Sequence, residues 1–413
     1  MTGIQNEKRV LRTLAERYSA IASQNVQRER IERYFDTISL QEVRPVVLID
    51  EVPWGEIDDD LLRLRCKEKE HCRLERRLRQ ALYQWDHFQA DMVIPPVFRV
   101  SKRILSTGIG IEVQETLLKA STGTDIMSHE YADQLQTDEA VDNLKLPRIT
   151  YDREGTERAA ELAADVFSGL LPVELEGATF QYNIWDRIST YRGVDKLLLD
   201  LAMRPEFMHR TARKFMEIAK ALFRQYLDLG LLEARPLLLH CTPACARELP
   251  AVGFTGTIRP KDVWGRCAAQ IFASVSPEMH DEFDLQYNQE VFAQCGLVYY
   301  GCCEPMDKKI DVLRKRFSNL RKISITPWAD AENAASNIGS DLVLAAKPNP
   351  AFVALPVFES EPVEQEISRY LAACKRHGTT CEFVLKDIST ISNNPANLIQ
   401  WADTVKEVID RYY

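Results

Sequence analysis

Cys302, Cys303 and Glu304 place two thiols and a carboxylate at three consecutive positions, directly after Gly301. A thiolate is a strong nucleophile and a ligand for soft metal ions such as zinc. The preceding run, Gly296-Leu297-Val298-Tyr299-Tyr300, has the β-branched and aromatic character of a short buried strand. Gly301 then lets the backbone turn, and Pro305 ends the strand. The same residues are compatible with two inert buried thiols beside a solvated glutamate, since free cysteine is among the most buried residue types. Neighbours on a regular strand face opposite sides. Cys302 and Cys303 can therefore serve one centre only if Gly301 bends the chain.

Other reactive side chains recur at the ends of apolar runs. Val46 to Ile49 reads as a first strand, ending in Asp50-Glu51 with Trp54 beyond. Met92 to Ile94 reads as a second, and Ala178 to Trp185 as a third with Asp186 at its exit. Pro236 to His240 reads as a fourth, ending in His240-Cys241, and the Gly296 run is the fifth. Lys322 to Thr326, before Trp328, is the sixth; Asp341 to Ala346, before Lys347, the seventh; Cys381 to Leu385, before Lys386-Asp387, the eighth. Helical patterns separate most of them, among them Leu61 to Trp85, with Asp58 to Asp60 as its N-terminal charges, and Val363 to His377. Continuous apolar strands indicate a parallel sheet covered on both faces. Eight such units predict an α/β fold, a (β/α)8 TIM barrel, whose chemistry belongs at the strands' C-terminal ends. Residues 1–40 are expected to be an N-terminal helical extension and 41–413 the barrel. Leu105 to Val113 with Glu115 to Ala120 is expected to form an inserted β-hairpin after the second strand.

Composition narrows the function classes. The chain of 413 residues is 45% hydrophobic and 27% charged, with a formal net charge of −9, as expected of a globular protein. No Lys/Arg stripe meets an aromatic ladder, which argues against nucleic acid. No apolar run approaches the roughly 20 residues needed to span a bilayer, and the charged N-terminus lacks a signal-peptide core, so a cytoplasmic protein is expected. In that compartment its ten cysteines are expected to be thiols or metal ligands rather than disulfides. Cys66, His71 and Cys72 read as solvated groups on one helix, and His129, His209, His280 and His377 as surface histidines.

The order of these pieces resembles the uroporphyrinogen decarboxylase superfamily over roughly residues 40–410. Arg44-Pro45-Val46-Val47-Leu48-Ile49 stands where that family has its first strand. Ser276-Pro277-Glu278-Met279, with Phe283 and Tyr287, is similar to its "SPEMF…F…Y" helix start, and Asn394-Pro395-Ala396-Asn397-Leu398 to its closing helix. The family includes the decarboxylase and the zinc-dependent methyltransferases that act on methylated corrinoid proteins. Asp50-Glu51 replaces the decarboxylase's arginine- and glycine-rich loop, and carboxylates there would repel a polyanionic porphyrinogen. The methyltransferase branch carries His-x-Cys at the end of the fifth strand and a later cysteine as zinc ligands. Cys303 falls on that cysteine, but Gly301 replaces the histidine, and Ile388-Ser389 has no thiol. Cys303, His240 and one of Cys302 or Glu304 are the substitute metal ligands that the resemblance suggests.

The resemblance implies a methyltransferase moving a methyl group between a small methylated compound or pterin and a corrinoid carried by a partner protein, with zinc as a candidate cofactor. Cys303, Glu304 and Glu51 would be catalytic, and Asp50, Trp54, Asp186, Trp328, Lys347, Lys386 and Asp387 would bind substrate. Trp54, Trp185, Trp264 and Trp328 suit a flat or methyl-bearing ligand, or else core packing. Lys347 and Lys386 suit an anion, an ion pair or a Schiff base. The rivals are a lyase in which Asp50 or Glu51 manages protons, and a non-catalytic barrel that binds a corrinoid or tetrapyrrole. A homodimer is a candidate assembly.

Overall fold

In the computed structural model, which describes residues 3–119 and 127–413, seven parallel strands form one curled sheet. They are β1 (Val46–Ile49), β2 (Phe180–Gln181), β3 (Trp264–Cys267), β4 (Leu297–Tyr300), β5 (Leu320–Ile325), β6 (Val343–Ala346) and β7 (Cys381–Leu385). Their order across the sheet is β1-β7-β6-β5-β4-β3-β2, a half-barrel of mixed α/β architecture.

Alternation sorts the side chains of this sheet. Ile323, Ile325, Leu344, Ala346, Phe383 and Leu385 join the large core under the helices. Lys322 and Ser324 in β5, Glu382 in β7 and Lys347 just after β6 alternate with them, are also buried, and so occupy the concave face. The helices follow the usual amphipathic logic. Ser360–His377 buries Val363, Ile367, Tyr370, Leu371 and Cys374, the spacing of one helical face, and stops where Gly378 takes φ 65°.

Several expected elements differ. Met92 to Ile94 forms no strand: Asp91 holds this segment to β1, its N–H donating to Val47 O and its Oδ2 accepting from Val47 N–H, both at 2.9 Å. A carboxylate thus does the work of a ladder. The third strand shrinks to Phe180–Gln181, because a helix (Ile184–Arg192) begins early and takes Trp185 and Asp186 into its first turn. Leu238–Leu239 is not in the sheet at all. It pairs antiparallel with Thr242–Pro243, and β3, from the expected connection, takes the sheet position. Its apolar run is broken by Gly265, where a Cβ would meet Phe292 at 2.6 Å, and by the buried Arg266.

The long helix starts at Lys69, not Leu61, and Glu68 caps it by accepting from the N–H groups of Glu70 and His71. Asp59 caps only a 3-10 turn, Asp60–Leu62. Cys66 precedes the helix and is buried; His71 is buried against Glu7 (2.8 Å) and His280 against Tyr300 Oη (2.5 Å). Arg103–Ser106 pairs with Ile149–Asp152, and Glu115–Lys119 with Met127–Tyr131. Residues 105–113 therefore do not pair with 115–119, and Ala120 lies outside the described residues. The helix Gly3–Ala22 packs on Lys69–His87 and Arg153–Phe167 in a smaller core of its own. Among the described residues no helix is long and apolar enough to cross a membrane.

Candidate active site

Backbone conformation gathers the site. Glu51 after β1, Asp387 after β7, and His240 and Cys241 all have positive φ, at 52°, 55°, 44° and 68°. Such conformations are uncommon outside glycine and cluster at functional sites. Leu239 pairs with Thr242, so His240-Cys241 is a two-residue hairpin loop with both φ values positive, as a type I′ turn requires. Asn-Gly is the usual choice there. The turn carries an imidazole instead. Gly301 has φ 98°; it bends the chain after β4 and brings Cys302 Sγ and Cys303 Sγ to 3.5 Å.

Lys386 Nζ, buried, is the hub. It lies 3.4 Å from Cys302 Sγ, 3.3 Å from His240 Nε2, 3.2 Å from Asp387 Oδ1 and 3.8 Å from Glu51 Oε2. His240 Nε2 is 3.2 Å from Cys302 Sγ. Cys303 donates to Asp387 Oδ2 at 2.9 Å, and Glu51 Oε2 accepts from Asp387 N–H at 2.9 Å. Cys241 Sγ lies 3.7 Å from Glu51 Oε1, and Asp50 Oδ1 accepts from Glu51 N–H at 2.7 Å.

The two thiols are driven apart in acidity. Its hydrogen bond with Cys303, then that with His240 and the charges of Lys386 and Arg266, hold Cys302 far below the usual thiol range despite burial. The hydrogen bond to Cys302, burial and the Asp387 carboxylate push Cys303 far above it. The pair's one proton thus rests on Cys303, which turns it to Asp387 Oδ2, with Cys302 as the thiolate. Burial lowers His240, helped by Arg266 and Lys386, so its imidazole is held neutral. Burial opposes the charge on Lys386, but Cys302, Asp387, Cys303 and Glu51 outweigh it and raise its pKa.

Three of the expected site residues sit elsewhere. Glu304 is wholly buried and clamps the loop, accepting from Ala269 N–H (3.1 Å) and Cys302 N–H (2.9 Å). Trp54 packs at 6.2 Å from both Tyr83 and Phe88. Asp186 accepts from Gln270 Nε2 at 3.2 Å, and burial, with the Glu304 charge, raises its pKa to about 7. Trp328, 73% exposed, and Lys347, 3% exposed, line a cavity of about 420 Å³ with Cys303, Lys386 and Asp387. A second cavity of about 450 Å³ lies beside Asp91, remote from the thiols. Its Arg33 and Arg44 are already paired with Asp91 at 2.7 and 3.2 Å.

Zinc fits this arrangement poorly. His240, Cys302 and Cys303 do meet, but Lys386 stands within 3.4 Å of both Cys302 Sγ and His240 Nε2, where its ammonium competes with a dication for the same donors. Among the described residues no group of three or more His, Cys, Asp or Glu side chains is set to hold a metal ion. Residues that the motif reading missed complete the wall: Ser324 Oγ donates to Cys302 O (2.6 Å), and Arg266 to Gly301 O (3.2 Å). The available signal was charge within apolar runs. Lys322 and Glu382 sit inside expected strands and meet at 2.8 and 2.9 Å on the concave face.

No protein-family model matches the chain, and no curated protein matches it. Solved structures do, among them a methyltransferase from Methanosarcina mazei, at 12% identity and TM-score 0.48 over 93% of this chain and 99% of that one. A likeness of that size carries nothing about activity, which has to come from the geometry of the site.

Proposed function

We propose that the protein is a group-transfer enzyme, a methyltransferase in which Cys303 takes an electrophilic methyl group from one partner and passes it to another. The observation that carries this reading is the sulfur pair: Cys303 on a cavity wall, 3.5 Å from a thiolate held by Lys386 and His240. Asp387 Oδ2, which already accepts the S–H of Cys303 at 2.9 Å, takes that proton as the substrate arrives. The Cys303 thiolate then attacks the methyl carbon: the S–C bond forms, the bond to the leaving group breaks, and the leaving group departs with that electron pair. Lys386 neutralises the charge on whichever sulfur bears it. A cavity of about 420 Å³ suits a small molecule. A corrinoid ring would stay with its carrier protein at the mouth, and when docked it would supply or accept the methyl group.

The test is methyl transfer from methylcobalamin, followed by mass spectrometry of the full chain. A gain of one methyl group on Cys303, absent in Cys303→Ser, is expected; wild-type turnover by Cys303→Ser discards the reading. Metal analysis of protein purified without chelator is expected to find far less than one zinc per chain. Stoichiometric zinc lost in Cys302→Ser would mean that Lys386 yields its place, and would restore a metal centre.

The half-buried Asp186, its pKa raised to about 7 by burial and by the Glu304 charge, favours a second reading as a lyase, with Asp186 as the proton donor. Carbon dioxide release abolished by Asp186→Asn but not by Cys303→Ser would select it.

A further inference from the structure

Three buried donors on the concave face have no acceptor. Arg266 Nε, Tyr299 Oη and Lys347 Nζ are buried without a hydrogen-bond partner among the described residues. They form one group across β3, β4 and the end of β6: the Arg266 guanidinium lies 5.7 Å and Lys347 Nζ 5.9 Å from the centroid of the Tyr299 ring. Nearby acceptors are already committed. Glu382 takes Lys322 with both oxygens, at 2.8 and 2.9 Å. Gln181 Oε1 and Gly301 O each take a terminal nitrogen of Arg266 at 3.2 Å. The Ser324 hydroxyl beside Tyr299 turns its proton to Cys302 O, and its oxygen is out of hydrogen-bond geometry with Tyr299 Oη. Buried donors are rarely left unpaired, and what this trio lacks is an anion. Lys347 also lines the cavity onto which Cys303 opens, whose other walls include Pro327, Trp328, Pro348 and Pro350.

We propose that Lys347, backed by Arg266 and Tyr299, receives the carboxylate of the substrate, so that the substrate is a small carboxylic acid with an apolar body lying against Trp328 and the prolines. This rests on the reading of Cys303 as the reacting group, which the far end of the bound acid would face. A singly charged oxyanion supplies the hydrogen-bonded counter-charge that the Lys347 ammonium lacks. Phosphate sites typically collect backbone N–H groups at a helix or loop terminus, and the trio contains none.

The probes are benzoate, benzamide as its neutral isostere, and inorganic phosphate, titrated calorimetrically into the full chain, with iodoacetamide labelling of Cys303 read alongside. Benzoate is expected to bind at least about tenfold more tightly than either alternative. Lys347→Met should lose that preference while melting no lower than wild type, because it removes an unpaired buried charge. Benzoate should also slow labelling of Cys303 in wild type only. Binding that depends on Lys347 but leaves Cys303 labelling unslowed keeps the anion site and discards the role of Cys303. Equal binding of benzoate and benzamide, phosphate binding that outcompetes benzoate, or unchanged benzoate binding in Lys347→Met overturns the proposal, as does no binding at all, in which case the trio holds only water. If Lys347→Met does not fold, Tyr299→Phe, which removes a single hydroxyl, is expected to weaken benzoate several-fold; unchanged affinity there is equally fatal.

Discussion

Lys386 touches both the thiolate sulfur of Cys302 and the carboxylate of Asp387, so replacing it with methionine deletes the charge that most directly favours ionised sulfur. The thiolate's pKa should rise, and the midpoint of the pH profile for alkylating the Cys302–Cys303 pair should move to higher pH. One pKa unit corresponds to about a tenfold slower reaction at acidic pH. A midpoint that stays put would mean that His240 and the second thiol suffice. Asp186 gives a stability signature of the opposite sense. Its folded pKa, about 7, lies above the ordinary 3.8. Between these values the unfolded chain has released a proton that the folded chain keeps, so stability falls as pH rises through that window and levels above it. Asp186→Asn should flatten this slope and gain up to about 4 kcal/mol at pH 8 relative to wild type, measured by urea melts at pH 4 and pH 8. The reactive residue types were legible from sequence, because cysteine, histidine and lysine at strand ends announce themselves. Partners were not. Glu304 looked reactive beside two thiols, yet three-dimensional packing turned it to backbone N–H groups, and nothing in its neighbours could reveal that.

Elements position these side chains through their exits. Gly301 is required by φ 98° and by a Cβ that would meet Ser324 Cβ at 3.2 Å. Gly301→Ala should therefore cost roughly 1–3 kcal/mol of stability and part the two sulfurs. Thermal melting reads the first effect; loss of dimaleimide cross-linking between Cys302 and Cys303 reads the second. Strands carried by β-branched and aromatic runs, such as β1, β4 and β7, were readable from pattern alone. Two kinds of element were not. β3 hides behind Gly265 and Arg266, which are needed for close helix approach and for the concave face, and so break the apolar run. The His240-Cys241 turn lacks the Asn-Gly signature because the site's need for an imidazole at that place overrides turn preference.

Across the whole molecule, the concave face carries a band of buried polar groups, Lys322, Ser324, Lys347 and Glu382, beside apolar Val343, Ala345 and Val384, where an ordinary barrel interior is filled with branched apolar side chains alone. Lys322 makes full use of its three protons, with Glu382, Thr242 Oγ1 (3.3 Å) and Pro243 O (2.7 Å), and so ties the hairpin Leu238–Pro243 into the sheet. Glu382→Gln leaves that ammonium buried without its counter-charge and should cost roughly 3–5 kcal/mol. The loss is expected as a lower urea midpoint, with looser protection of the hairpin amides in hydrogen exchange; a midpoint unchanged from wild type would deny the pair its structural role. Parallel order and helix cover were legible from composition and periodicity, whereas the inward hairpin depends on contacts between residues about eighty positions apart, and the curl on the pairing of β1 with β7 from opposite ends of the chain. The left-handed residues at the mouth also bear on engineering. Grafting the side chains of Glu51, His240, Cys302, Cys303, Lys386 and Asp387 onto an idealised barrel, whose strand exits are relaxed, would scatter them, so a transplant has to import the bent chain segments before the chemistry they display.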